Sequence, residues 1–63
     1  MDKYVMYSPN YAPFQSKTFD NEEEAYDYYD STIMEFLSKD GYNGVRFVLL
    51  KNGEVIDSGS IIG

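Results

Sequence analysis

Residues 21–30, NEEEAYDYYD, set five carboxylates and three tyrosines into ten positions with no basic residue among them. Carboxylates at that density suit acid/base catalysis, ligation of a hard cation, or recognition of a positively charged surface. A two-carboxylate mechanism needs a concave site that places the two acids in unlike environments. Acids along one exposed helix face are all solvated alike. For calcium, the run lacks the alternating oxygen ligands and central glycine of an EF-hand loop, and helical carbonyls are already engaged. Weak, nonspecific divalent binding is the most it offers. With no histidine and no cysteine in the chain, nucleophilic catalysis of the Ser-His or Cys-His type lacks its base or its nucleophile. The stretch DGYNG, residues 40–44, has two glycines at the wrong spacing for a phosphate-cradling loop and no lysine. It reads as a helix-to-strand turn. The expectation is a protein that is not an enzyme and uses no cofactor and no metal.

The third use of the carboxylates requires a rigid element to space them. Asp20 and Asn21 are both good N-caps, followed three positions later by Glu23 and Glu24, and glutamates in a first turn favour the positive end of the helix dipole. A helix is predicted over about residues 21–39, roughly 28 Å long, with Gly41 at the C-cap. At 100° per residue, Ala25, Tyr26, Tyr29, Ile33, Phe36 and Leu37 share an arc of about 120°, the width of a core-facing stripe. Glu23, Glu24, Asp27, Tyr28, Ser31, Met34 and Glu35 point the other way, with Asp30 at the boundary. Carboxylates three or four positions apart repel by a few tenths of a kcal/mol per pair. A helix selected for stability alone would interleave lysines, yet none stands between Asp20 and Leu37.

The helix needs a sheet to rest on. Residues 3–8 read as a strand, 9–15 with Pro9 and Pro13 as a loop, and 15–19 as a short edge strand. GVRFVLL and EVIDSGSII flank Asn52-Gly53, the strongest short hairpin signal. Pairing Lys51 with Glu54 would place Val45, Phe47, Leu49 and Ile56 on the helix face, with Ser58 and Ser60 leaving room for the helix. Arg46, Val48, Leu50, Val55, Asp57 and Ile61 would then lie on the outer face. The expected architecture is α+β: one helix on an antiparallel sheet of three or four strands, in order ββαββ, within a single domain spanning 1–63.

Composition limits the partners. Eleven acids against five bases give a formal charge of −6, which repels nucleic acid and anionic membrane alike. Eight of those acids lie between Asp20 and Asp40. MDKYVMYS has no signal-peptide core and no run reaches the roughly 20 apolar residues of a membrane span. A cytoplasmic location is expected. With 63 residues the core is small, and neither disulfide nor histidine-bound zinc is there to reinforce it.

Tyr28 and Met34 are set into the outward carboxylates, and Tyr and Met are enriched at protein interfaces. Tyr4, Tyr7, Tyr11 and Tyr42 extend the same character, although tyrosine is also a good strand residue and several of them are expected to be half-buried. The reading that follows is an acidic face, Glu23, Glu24, Asp27, Tyr28, Asp30, Met34 and Glu35, that meets a basic protein surface. A solvated face serving solubility is the plainer alternative. So is an interaction module acting through Val48, Leu50 and Val55, on a partner or on a second copy as a homodimer. As a whole, this very short, acidic, tyrosine-rich, cysteine-free α+β chain resembles the small inhibitors that bacteriophages encode, among them anti-CRISPR, anti-restriction and host-takeover proteins. The resemblance is one of composition and layout over the full length. It implies a nucleic-acid-mimicking inhibitor of a nucleic-acid-handling protein, acting in host cytoplasm, and assigns no role to any single residue.

Overall fold

The structure, a computed structural model, describes residues 2–62. Its elements follow the chain as β1 (Tyr4–Tyr7), β2 (Lys17–Phe19), α1 (Glu22–Leu37), β3 (Arg46–Lys51) and β4 (Glu54–Ser60). The four strands form one antiparallel sheet in the order β2-β1-β3-β4, with α1 packed on one face. The ββαββ order and the α+β class agree with the sequence reading. Segment 15–19 joins the sheet through its last three residues, which pair with Tyr4, Val5 and Met6.

The helix starts where local chemistry directs it. Asn21 takes extended backbone angles and its Oδ1 accepts a hydrogen bond from the Glu24 N–H at 3.2 Å, while Glu22, Glu23 and Glu24 fill the first turn. Asn21, not Asp20, is therefore the cap. The other end falls short of the expected residue 39. Ser38 closes the helix: its N–H reaches the carbonyls of Met34 and Glu35, and its Oγ donates to the Glu35 carbonyl at 2.7 Å. Gly41, with φ of 91°, belongs to the connection that follows rather than to the cap.

The β3–β4 hairpin turns at Asn52 (φ 52°) and Gly53 (φ 86°), a pair of left-handed residues that fits the strand twist. Lys51 pairs with Glu54 and Leu50 with Val55, as that turn requires. The register then shifts. Leu49 pairs with Asp57, Val48 with Ser58, Phe47 with Gly59 and Arg46 with Ser60, leaving Ile56 as the extra residue of a β-bulge.

That one residue reverses the expected facing of the rest of β4. Ser58 and Ser60, assigned from sequence to the helix face, stand exposed on the outer face opposite Val48 and Arg46. Asp57 and Ile61, assigned to the outer face, turn to the helix side. Ile61 is buried, and its N–H bonds the Val45 carbonyl at 2.8 Å. The physical reason is packing: the shift puts Gly59, which has no side chain, under the helix and brings Ile61 into the core. Neither would happen in the unbulged register.

Tyr4, Met6, Ala25, Tyr29, Val45, Phe47, Leu49 and Ile61 form the core. Phe47, Met6 and Leu49 are its largest fully buried side chains, each contributing about 2 kcal/mol of burial. On α1 the buried positions are Ala25, Tyr29 and Thr32, spaced at i, i+4 and i+7. Thr32 is in the stripe by position, although its polarity hid it in the sequence. Leu37, expected in the stripe, is half exposed at the end of the last turn. An aromatic group closes that end: Phe36 meets Tyr42 at 4.8 Å, Phe47 at 5.1 Å and Tyr11 at 5.9 Å, and Phe14 meets Phe47 at 5.0 Å.

Candidate protein-binding site

Because α1 lies on the sheet through the Ala25–Tyr29–Thr32 stripe, its opposite side faces solvent. Glu23, Glu24, Asp27, Asp30, Met34 and Glu35 are all exposed there. Met34, 71% exposed, is the apolar member of the face, near its C-terminal end. Lys39 meets Glu35 at 3.7 Å, one turn on, at the C-terminal end. Among the described residues no ion pair engages Glu23, Glu24, Asp27 or Asp30.

Tyr28 departs from the expected outward position. It is half-buried, its ring 5.4 Å from that of Phe19 and tilted by 45°, with the Lys17 ammonium 6.0 Å from its centroid. The reason is β2. Once Lys17–Phe19 joins the sheet, the platform under the helix widens and covers the flank that carries Tyr28. Of the other tyrosines, Tyr7, Tyr11 and Tyr42 are half-buried, as expected for several of them, Tyr11 and Tyr42 meeting edge-to-face at 5.7 Å in the aromatic group, and Tyr4 is fully buried. Burial, with a hydrogen bond to Tyr42, pushes the Tyr11 hydroxyl above its usual range.

A second tyrosine pair lies between helix and β4. The Tyr29 hydroxyl is buried without a hydrogen-bond partner, and burial, aided by the carboxylates of Asp57 and Asp30, pushes it up to about 12. Tyr26 is pushed upward for the same reasons, burial first and Asp57 next. Asp57 itself accepts from the Ser58 N–H at 2.8 Å. These groups are packed into the interior beneath the acidic face and are not displayed on it.

The opposite face of the sheet carries no helix. Val5, Leu50 and Val55 stand side by side in register across β1, β3 and β4, with Tyr7, Val48 and Ser58 as the next row. Of the residues expected there, Val55 is 62% exposed and Leu50 half-buried, whereas Val48 is 7% exposed between its cross-strand neighbours. Val5 and Tyr7 belong to this face too. They become visible only once β1 is known to pair with β3.

Among the described residues no surface pocket is found, and no three carboxylates are grouped to hold a metal ion. Among the described residues no helix is long and apolar enough to cross a membrane. Compared with protein-family models, with curated proteins and with solved structures, the chain matches none.

Proposed function

We propose that this chain is a non-enzymatic binding protein whose α1 carboxylates occupy a basic, nucleic-acid-binding surface of a target protein, as the small acidic phage inhibitors it resembles do. The observation that carries the reading is the exposed, lysine-free run of Glu23, Glu24, Asp27 and Asp30, continued by Glu35. From Glu23 to Glu35 the helix rises about 18 Å, and a nucleic-acid strand carries about five phosphates over that length. The face carries five carboxylates. A groove whose lysines and arginines are spaced for a phosphate backbone meets a similar linear charge density here, on a rod fixed in place by Asn21 and the Tyr29 packing.

Electrostatics of this kind speeds encounter and selects the partner. Met34 adds an adaptable apolar contact near the C-terminal end of the face. Solubility alone is served by charges of either sign, and mixed charges would also remove the repulsion within the helix.

The test is capture of partners from a bacterial lysate at about 50 mM and about 500 mM salt, where screening lengths differ about threefold. The wild-type chain and the Glu24→Lys/Asp27→Lys/Glu35→Lys variant are compared. A nucleic-acid-handling protein retained only by wild type, and released by salt, is the expected result. Equal retention of the same partner by both chains sinks the proposal.

A further inference from the structure

We propose that the outer face of the sheet binds a second copy of this chain, sheet face to sheet face, giving a closed two-fold dimer with both acidic helices pointing outward. This does not depend on what the helix face binds.

The first ground is the apolar row. The register sets Val5, Leu50 and Val55 in one line across three strands, on the side away from α1, with Val55 62% exposed and Val5 and Leu50 half-buried. Exposed apolar side chains are ordinary when scattered. Here the exposed Val55 runs on into the half-buried Leu50 and Val5, and Ile62, 78% exposed, lies two residues beyond the end of β4.

The second ground is charge, and it names the occupant. A chain of net charge −6 is repelled by its own copy over most of its surface. The pleat places every carboxylate of the sheet on or toward the helix side: Asp57 opposite Leu49, Glu54 opposite Lys51, and Asp2 in an ion pair with Lys51 at 3.6 Å. Seven further acids, Glu22, Glu23, Glu24, Asp27, Asp30, Glu35 and Asp40, lie on the helix or in the connection after it, and Asp20 immediately precedes it. The outer face is left with Arg46 and, by continuation of the pleat, Lys3 as its charges. They sit at opposite ends of the row. This is the one face on which two copies meet with their carboxylates directed away from each other, separated by two sheets packed about 10 Å apart.

The bulge at Ile56 creates that asymmetry. In the unbulged register Asp57 would stand on the outer face beside the apolar row and oppose the pairing. A head-to-tail arrangement, outer sheet on acidic helix, would bury Leu50 and Val55 against hydrated carboxylates and would propagate into open chains. A face-to-face pair matches row with row, leaves Arg46 and Lys3 at a wet rim, and closes. Four strands about 4.8 Å apart and about 17 Å long make a patch of roughly 300 Å² per copy, below the standard interface, so the dimer is weak and transient, with dissociation in the upper micromolar range.

Sedimentation equilibrium of the intact chain from about 1 to 300 μM, a range that brackets micromolar dissociation, reads this directly. The expected result is a reversible transition from 7.3 kDa to twice that mass, no larger species, and a dimer that persists or tightens as salt rises, since each copy is negative. Val55→Asp, at an exposed position that leaves the core untouched, weakens dimerisation at least tenfold. Leu50→Glu does the same, and Met34→Asp, equally exposed but on α1, leaves it unchanged. Circular dichroism confirms that each variant is folded. A monomer throughout the range overturns the proposal, as does a dimer unaffected by Val55→Asp. Salt-dissociated assemblies that grow past two copies also overturn it, in favour of head-to-tail contact.

Discussion

The Tyr29 hydroxyl and Gly59 are in direct register across the helix–sheet boundary: a Cβ built on Gly59 would stand 3.2 Å from the Tyr29 oxygen and 3.2 Å from Ile33 Cδ1. Helix and β4 approach this closely because the bulge presents the one residue of β4 without a side chain. Gly59→Ala is expected to destabilise the fold by about 1 kcal/mol, because the two side-chain ends yield by only a few tenths of an ångström, and Gly59→Val by about 2–3 kcal/mol. Urea unfolding of the single variants and of Gly59→Ala/Tyr29→Phe measures the coupling. The double variant should lose less than the sum of its parts.

Tyr29→Phe is expected to be neutral or to stabilise by up to about 1 kcal/mol at neutral pH. The change removes a buried hydroxyl that has no partner. Its pH signature is more specific. Burial raises the folded-state pKa from 10.0 to about 12, so the folded state holds the proton more tightly than the unfolded one. That stability is intact below pH 10 and is lost as pH rises toward 12. Wild type should weaken across this window, and Tyr29→Phe should weaken less. Parallel alkaline profiles would contradict the assignment.

Asn52 ties the hairpin turn to the N-terminus. Its Oδ1 accepts from the Lys3 N–H at 2.9 Å, its N–H donates to the Lys3 carbonyl at 2.8 Å, and its Nδ2 donates to Asp2 at 2.9 Å. Asn52→Ala removes both side-chain bonds and puts alanine, which tolerates the left-handed region less well than asparagine, at φ of 52°, at an expected loss of about 2 kcal/mol. That Asn52 bond, then Lys51, holds the Asp2 carboxyl below its usual 3.8. Its stabilisation is present above 3.8 and disappears as pH falls through the lower folded-state value. In Asn52→Ala the acid unfolding profile should lose this component. Thermal melts from pH 5 down to pH 2 show it.

Asp27→Lys separates stability from function. Asp27 has Glu23, Glu24 and Asp30 at four and three positions on the same helix, so one lysine turns three repulsive pairs into attractive ones. The free protein should gain about 1 kcal/mol. Binding to a basic target should weaken at least tenfold. A variant that gains stability and keeps its affinity would show that the carboxylates are only a solvated face.

Features governed by neighbours in sequence were legible before the structure. Asn21 as a cap, the Asn52-Gly53 turn and the Ala25–Tyr29 stripe each depend on a few consecutive residues and their backbone preferences. What was hidden depends on pairing between distant segments. Val55 and Ile56 in β4 and Ile61 just beyond it cannot all face the core in one period-two phase, and the sequence contains no mark that Ile56 will bulge. Tyr28 read as exposed because its burial requires Phe19, nine positions back, to be in a paired strand. The acidic face itself was legible apart from Tyr28. Met34 and the five carboxylates need only the helical period to be placed.

Competition on an isolated target tests the proposed function most directly. A nucleic-acid-handling protein captured by the chain is loaded with its own fluorescently labelled DNA or RNA, and the unlabelled chain is titrated in while anisotropy is followed. Full displacement of the nucleic acid, with an apparent affinity that falls as salt rises and is lost in Glu24→Lys/Asp27→Lys/Glu35→Lys, is the predicted result. A ternary complex in which the target holds the chain and its nucleic acid together would contradict it.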